Sequence, residues 1–551
     1  MVKKDWKEIV KESRARRDMT IPEKWRVDFS NEKSASIMHF ATEGHPLVSE
    51  RQKEITTLSA GALLQAIKDK KYTCVEVCEA FAVRACIAHQ LTNCVSEFFI
   101  EEGLETARKL DEYYERTGQL WGPFHGLPVS VKDHFHLAGH LLNTGFTAWA
   151  DFRNKPEDED GIFKELRKAG CVFFMKTHMP TSGMVLETTS NLWGNVYNPY
   201  NRKVTSGGSS GGETIMISMY GTPMAIGTDG AGSIRCPAGF CGNYSLKPTS
   251  GRFDYTGQSN YAPNQVIVPG VPGPICRSLS DVKLMSKFLI DVEPWTNDPN
   301  AVAIPWRESV LPEKLTIGLL KWDGVAMPHP PIQRALREVR QKLEAAGHEV
   351  YEFEMPFDCE EAMKVTMNIY FQSGFAEGKK LLAETGEPLM PALEQLFRFY
   401  NIDRELTGSE SFKLAAQRNK YRKQFLTAWK DTATKTKSGR PIDALMCPIS
   451  PGAAFAHDLF PWWGYTSLFN MLDYPGITLP IKGCFSDKTK DPKDTNYTPV
   501  GPWDKYTYDQ YDPDLFHGTP ISLQFVGKRF FEEDLLQISQ VLDKVVNNVD
   551  N

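Results

Sequence analysis

The chain of 551 residues is short of several things that would narrow its class. It has no apolar run long enough for a transmembrane helix. Its N-terminal residues show no secretory pattern of basic start, apolar run and small-residue cleavage site. It has no basic stripe: 63 Lys and Arg stand against 69 Asp and Glu, scattered along the chain for a net charge of −6. That balance argues against nucleic acid and against an anionic membrane surface as partners. Eleven cysteines run from Cys74 to Cys484 without paired metal-ligand spacing, and the odd number leaves at least one thiol unpaired. With no secretory signal, a reducing cytoplasmic compartment is the simplest expectation. The final NNVDN is no targeting signal. Length alone would suggest about three or four domains, yet no Pro/Gly/Ser linker or charge block divides the chain. One large α/β domain with additions is expected.

What is present is concentrated between Thr205 and Pro237. Two glycine-rich, serine-bearing loops occur there, Ser206-Gly207-Gly208-Ser209-Ser210-Gly211-Gly212 and Gly227-Thr228-Asp229-Gly230-Ala231-Gly232-Ser233. Between them, Glu213 to Tyr220 carries apolar groups suited to a buried helix, and Met224-Ala225-Ile226 reads as a short buried strand. Exposed N–H groups of such loops suit negative charge, either a phosphate or the oxyanion of acyl transfer. The phosphate reading is weak, because no Gly-Lys-Ser/Thr ending follows and the dinucleotide glycine spacing is absent. A flexible Gly/Ser linker is the bland alternative, but a linker needs no core element between its halves.

GGSSGGE followed by GTDGAGSIR closely resembles the signature of the amidase signature family of serine hydrolases. In that family a bridging serine sits in the first loop and the nucleophile in the second. Ser209 and Ser233 stand 24 residues apart, the spacing of the fatty acid amide hydrolase branch. The family's third member is a lysine in a GIPVSVKD motif, which Gly126-Leu127-Pro128-Val129-Ser130-Val131-Lys132-Asp133 matches; from the residues alone, Lys132 would be read as a surface lysine at a strand end. The resemblance implies an acyl-transfer hydrolase of a small-molecule carboxylic amide, with no cofactor. Ser233 would attack, Ser209 would relay the proton, and Lys132 would act as base, its charged form disfavoured by burial. Backbone amides of Gly230, Ala231, Gly232 and Ser233 would form the oxyanion hole. Many relatives have two glycines before the nucleophile where this chain has Ala231-Gly232, and alanine tolerates positive φ poorly. Asp229 and Arg235 flank the nucleophile and are expected to pair and stiffen the loop.

The rest of the chain is read in the same frame. Residues 1–56 form an N-terminal helical arm, with Trp6, Ile9 and Val10 on one helical face, and residues 57–551 the amidase signature domain: a central mixed β-sheet surrounded by helices. Thr73-Cys74-Val75-Glu76 reads as a capping box, and Cys74, Cys78 and Cys86 as core. His134 and His136 in a strand would share a face, but no further ligand is near in sequence and no metal is expected. Cys171 to Met175 reads as a strand, and His178 to Gly194 falls where the family lines its acyl pocket. The aromatics of residues 360–430 serve equally well as core or as cover for a pocket. Ser486 to Asp514 reads as a polar surface insertion, and a last helix runs from about Glu533 to Val546. The arm and the insertion resemble fungal acetamidase-type members, which points to small aliphatic or aryl amides. Two other readings stay open: an amidotransferase subunit of the same family, and a catalytically silent binding protein. The oligomeric state, a homodimer included, is left undetermined.

Overall fold

Apolar and β-branched runs bounded by glycine and proline become the strands of one central sheet. The computed structural model describes residues 5–257 and 265–549. The first four residues of the charged N-terminal segment and the last two of NNVDN lie outside them. The strands in chain order are β1 (Val95–Phe98), β2 (Val129–Lys132), β3 (Met175–Thr177), β4 (Thr189–Ser190), β5 (Gly194–Asn195), β6 (Met224–Asp229), β7 (Tyr244–Lys247), β8 (Val271–Cys276), β9 (Thr316–Leu319), β10 (Glu349–Glu352), β11 (Ala444–Pro448), β12 (Gly476–Phe485) and β13 (Pro520–Val526). Apart from the small β4–β5 ribbon, they form one sheet in the order β1-β3-β2-β6-β8-β7-β12-β13-β11-β9-β10. Pairing is mixed: β3-β2-β6 and β11-β9-β10 are parallel and the remaining neighbours antiparallel. Helices cover the sheet, so the architecture is the expected single α/β domain with a large mixed sheet.

Local signals hold well. Thr73 and Glu76 make the expected capping box at the start of helix Cys74–Thr92, and its cysteines are buried. Helix Glu532–Asn547 occupies the expected place at the end of the chain, and helix Pro330–Ala345 packs against the sheet. The first helix, Trp6–Met19, sets Ile9 and Val10 against Ala150, Leu192 and Trp193. Its Arg14 Nε donates to the Leu192 carbonyl at 2.8 Å.

Two expectations are corrected. Cys171 to Phe174 does not extend β3; Val172 bridges to Pro128, and the Phe174 carbonyl accepts from Phe99 N–H at 2.9 Å. Ser486 to Asp514 is more than a surface insertion. Helix Pro502–Gln510 buries Trp503, which meets Phe399, Trp462 and Tyr400 at ring distances of 4.7, 5.2 and 6.0 Å. Asp491, 1% exposed, takes two hydrogen bonds from Arg334 at 2.7 and 2.9 Å. The segment's mean composition is polar, and a few large side chains still anchor it.

Trp503→Ala therefore opens a void among these rings and is expected to cost about 3–5 kcal/mol. Differential scanning calorimetry should show a thermal midpoint lowered by several degrees. An unchanged midpoint would mean that the segment only drapes over the surface.

Candidate active site

β2 and β6 are adjacent, parallel and fully buried, with Val131 opposite Ile226. Their carboxyl ends therefore open at the same edge of the sheet, where α/β proteins place their ligands. The pairing brings Lys132 at the end of β2 beside Thr228 and Asp229 at the end of β6. Helix Gly211–Ser218, every residue buried, fills the space beside these strands and delivers Ser209 and Ser210 ahead of its first turn.

Lys132 is completely buried. Its Nζ donates to Ser209 Oγ at 2.8 Å, Ser210 Oγ at 2.9 Å and Thr228 Oγ1 at 2.9 Å. Burial lowers its pKa to about 7, against the opposing pull of Glu213 and Asp229. Glu213 lies in the first turn of the buried helix and accepts hydrogen bonds from Ser130 Oγ and, at 2.8 Å, from Thr177 Oγ1. Its own pKa is pushed up to about 7 by burial, with these hydroxyls and Lys132 pulling back. Burial thus disfavours the charged form of both the amine and the carboxyl, and each favours the charge of the other.

Ser209 and Ser233 are 3% and 4% exposed and line one cavity of about 960 Å³. The two loops are tied by a hydrogen bond from Ser210 N–H to the Ser233 carbonyl at 3.1 Å. Among the described residues, no hydrogen bond joins the hydroxyls of Ser209 and Ser233 to each other. Gly208 packs edge-on, since a Cβ there would fall 2.7 Å from the Glu187 carbonyl carbon. The peptide between Gly208 and Ser209 is cis.

The second loop is wrapped around one buried carboxylate. Asp229 accepts from the backbone N–H groups of Gly232 at 2.7 Å, Ile234 at 3.2 Å and Arg235 at 3.3 Å. It also pairs with Arg235 Nε at 3.0 Å and Nη2 at 3.1 Å, both side chains being fully buried. Burial opposes this charge, but Arg235 and Asn470 outweigh it and hold the carboxyl well below its usual range. Arg235 is satisfied further by Asn470 Oδ1 at 2.6 Å, the Thr466 carbonyl at 3.1 Å and Gln524 Oε1 at 3.1 Å.

This wrapping resolves the Ala231-Gly232 question. The positive φ falls on Gly232, at +129°, and not on Ala231. A Cβ at Gly232 would lie 2.3 Å from Thr466 Oγ1. The Ala231 carbonyl takes hydrogen bonds from Thr466 Oγ1 at 2.9 Å and Ser467 Oγ at 3.1 Å. Of the four amides expected to face a ligand, that of Gly232 donates to Asp229 Oδ1. Those of Gly230, Ala231 and Ser233 have no hydrogen-bond acceptor among the described residues.

The aromatics of residues 360–430, open between core and pocket cover, divide between the two. Tyr370, at the end of helix Cys359–Tyr370, donates its hydroxyl to the Gly230 carbonyl and lines the cavity. Phe371, Phe375 and Phe397 of the same region are packed together away from it, so residues 360–430 provide both core and cavity wall. Thr228, Ser210 and Glu213 sat in the glycine-rich stretch without an assigned role. A lone glutamate in a helix apolar all round was the signal for Glu213. Ser182, Gly183 and Met184 line the cavity, as expected of residues 178–194. His134 also lines it, and burial lowers its pKa well below the usual value. His136 sits instead 3.8 Å from Asp160 Oδ1. They follow the end of β2 and do not share a strand face.

With this geometry in view, comparison with known proteins is informative. A family model described as Amidase matches residues 76–536. "Amidase FG08078" of Gibberella zeae is 42% identical over 544 residues, covering 98% of this chain and 99% of that protein. An acetamidase of Emericella nidulans is 36% identical over 553 residues, 99% of each chain. A solved structure of fatty acid amide hydrolase superposes with a TM-score of 0.91 at 30% identity, covering 98% of this chain and 95% of that one.

Arg235→Met would leave the Asp229 carboxylate unpaired in the interior, at an expected cost of about 3–5 kcal/mol. Thermal denaturation should show a loss of many degrees, smaller for Arg235→Lys. A midpoint matching the parent protein would mean that Asn470 and the loop amides hold Asp229 by themselves.

Proposed function

The chain belongs to the amidase signature family, a hydrolase of carbon–nitrogen amide bonds, and from that premise we propose that it cleaves a carboxylic amide through an acyl-enzyme on Ser233. The observation that carries this reading is the contact of Lys132 Nζ with Ser209 Oγ at 2.8 Å, inside the cavity that Ser233 also lines.

A serine hydroxyl needs a neighbouring base to act as nucleophile. Lysine serves only when neutral, and burial lowers Lys132 to about 7, within the range useful for general base catalysis at neutral pH. The Ser233 proton passes to Ser209 Oγ as Ser209 gives its own proton to Lys132. Ser233 Oγ bonds to the substrate carbonyl carbon, and the carbonyl oxygen becomes an oxyanion facing the amides of Gly230, Ala231 and Ser233. Losing one such donor costs about 100- to 1,000-fold in rate. Collapse of the intermediate breaks the C–N bond, and the proton held by Lys132 returns through Ser209 to the leaving amine. Water then attacks the ester by the same route and releases the acid. Small aliphatic and aryl amides are the proposed substrates, in keeping with the acetamidase relatives.

Two outcomes test this. Ammonia or amine release should be measured over a panel from acetamide through benzamide to long-chain amides. Wild type alone should turn over at least one member, with Ser233→Ala slower by at least about 1,000-fold. Equal release by both proteins would remove Ser233 from the mechanism, and turnover only with a partner subunit would favour an amidotransferase.

The second test is a pH profile. Because the base must be deprotonated, kcat/KM should rise about tenfold per pH unit below about 7 and level off above it. A flat profile from pH 5.5 to 8.5 would exclude Lys132 as the titrating base.

A further inference from the structure

The cavity has one positively charged wall. Three of its lining residues are ionisable with a role in its charge: His134, Asp298 and Arg529. His134 is held neutral by burial. Asp298 is 3% exposed, and its oxygens are taken by the backbone N–H groups of Asn300 at 2.8 Å and Tyr255 at 3.1 Å. Arg529 is different, with a side chain 47% exposed. Its Nε donates to Asp473 Oδ2 at 2.7 Å, while its two terminal nitrogens make no hydrogen bond among the described residues.

Asp473 is itself a fixed anchor. Its side chain is 3% exposed, and Oδ1 accepts from Ser250 N–H at 2.9 Å and Ser250 Oγ at 2.6 Å. The guanidinium is steadied further by the Phe530 ring, 4.4 Å below it. Arg529 is therefore held at one nitrogen, and its outer edge is left for a ligand.

The surroundings add charge of the same sign. Arg418 and Arg422 lie one turn apart on helix Gly408–Asp431. Arg418 donates to the carbonyl of Ile267, which adjoins the cavity-lining Val266 and Val268, and Arg422 Nε donates to the Met471 carbonyl at 2.8 Å. Burial lowers the pKa of both, Asp473 supports their charge, and Arg529 repels it. Among the described residues Arg529 alone of the three bonds to Asp473 and lines the cavity, while Arg418 and Arg422 lie close enough to feel both charges.

We propose that the substrate carries a carboxylate remote from the scissile amide, and that Arg529 is the specificity-determining residue that receives it. This rests on the amidase reading given above. A guanidinium edge with two free N–H-bearing nitrogens matches a carboxylate with two parallel hydrogen bonds. The Nε–Asp473 bond pre-orients that edge, so little ordering is needed on binding. Neutral alkyl or aryl amides would still reach Ser233, but they would leave the outer edge of Arg529 unanswered.

The test separates binding from turnover. Ligand affinity is measured by isothermal titration calorimetry on Ser233→Ala with two matched pairs. Acetanilide against 4-acetamidobenzoate places the carboxylate on the amine side. Hexananilide against the monoanilide of adipic acid places it on the acyl side. In at least one pair the charged member should bind about tenfold more tightly. That advantage should disappear in Ser233→Ala with Arg529→Leu, survive in part in Arg529→Lys, and shrink as salt rises. If Arg529→Leu does not fold, Arg529→Gln takes its place. Equal affinities within both pairs overturn the proposal, as does an equal loss for charged and neutral ligands on removing Arg529, which would mark a purely structural arginine. Turnover of the neutral anilides by the unmodified enzyme is followed in parallel. Discrimination without any turnover would support the anion site and sink the hydrolytic reading, so the two failures stay distinct.

Discussion

A lysine with no access to water sits at the centre of this structure. Burying an ammonium group is unfavourable unless it is paired or sheds its proton. Lys132 meets that constraint with three hydroxyl partners within 2.9 Å and two carboxylates close enough to favour its charge, Glu213 and Asp229. The balance lowers the pKa of the amine to about 7. Each partner comes from a different place: Ser209 and Ser210 from the first glycine-rich loop, Thr228 from β6, and Glu213 from the helix between the loops. Moving any of these elements would break the arrangement, so the packing of β2, β6 and that helix sets the chemistry of the amine.

Asp229 does for the second loop what Lys132 does for the first. One carboxylate gathers three backbone amides and the Arg235 guanidinium, and Arg235 reaches on to Asn470 and Gln524. A loop of small residues, intrinsically loose, is thereby fixed to β13 and helix Gly464–Leu472. The same bonds decide which amides remain for a ligand, because the one on Gly232 points inward to Asp229. Rigidity and the aim of the remaining donors have a single cause here.

The far walls of the cavity come from late in the chain. Tyr370 braces the Gly230 carbonyl from the helical region, and Arg529 and Phe530 enter from the turn after β13. These contributions are separated from the two loops by well over a hundred residues of sequence. They complete cavity walls that the two loops do not supply, and Arg529 brings a guanidinium to one of them.

Much of this protein was legible in its residues. The two loops, the buried helix between them and the strand that delivers Lys132 are written as local composition: glycine and serine clusters, and apolar runs of strand or helix length. The capping box at Thr73 and the flanking helices were legible for the same reason, since short-range hydrogen bonds and periodicity are local properties. Residue spacing alone assigned no partner to Lys132, gave no role to Glu213, Thr228, Asn470 or Arg529, and left Tyr370 among aromatics that served equally as core or as cover for a pocket. Polar residues of these types usually face solvent, and only the order of the strands brings them to one edge. The segment 486–514 was misread because its polar average hides Trp503 and Asp491, whose burial depends on distant partners. Local sequence determined which elements form and where the reactive residue types lie along them. The tertiary structure alone decided which of them meet, how far each is removed from water, and hence which charges are lost or kept, because burial and long-range pairing are properties of packing that no single stretch of chain contains.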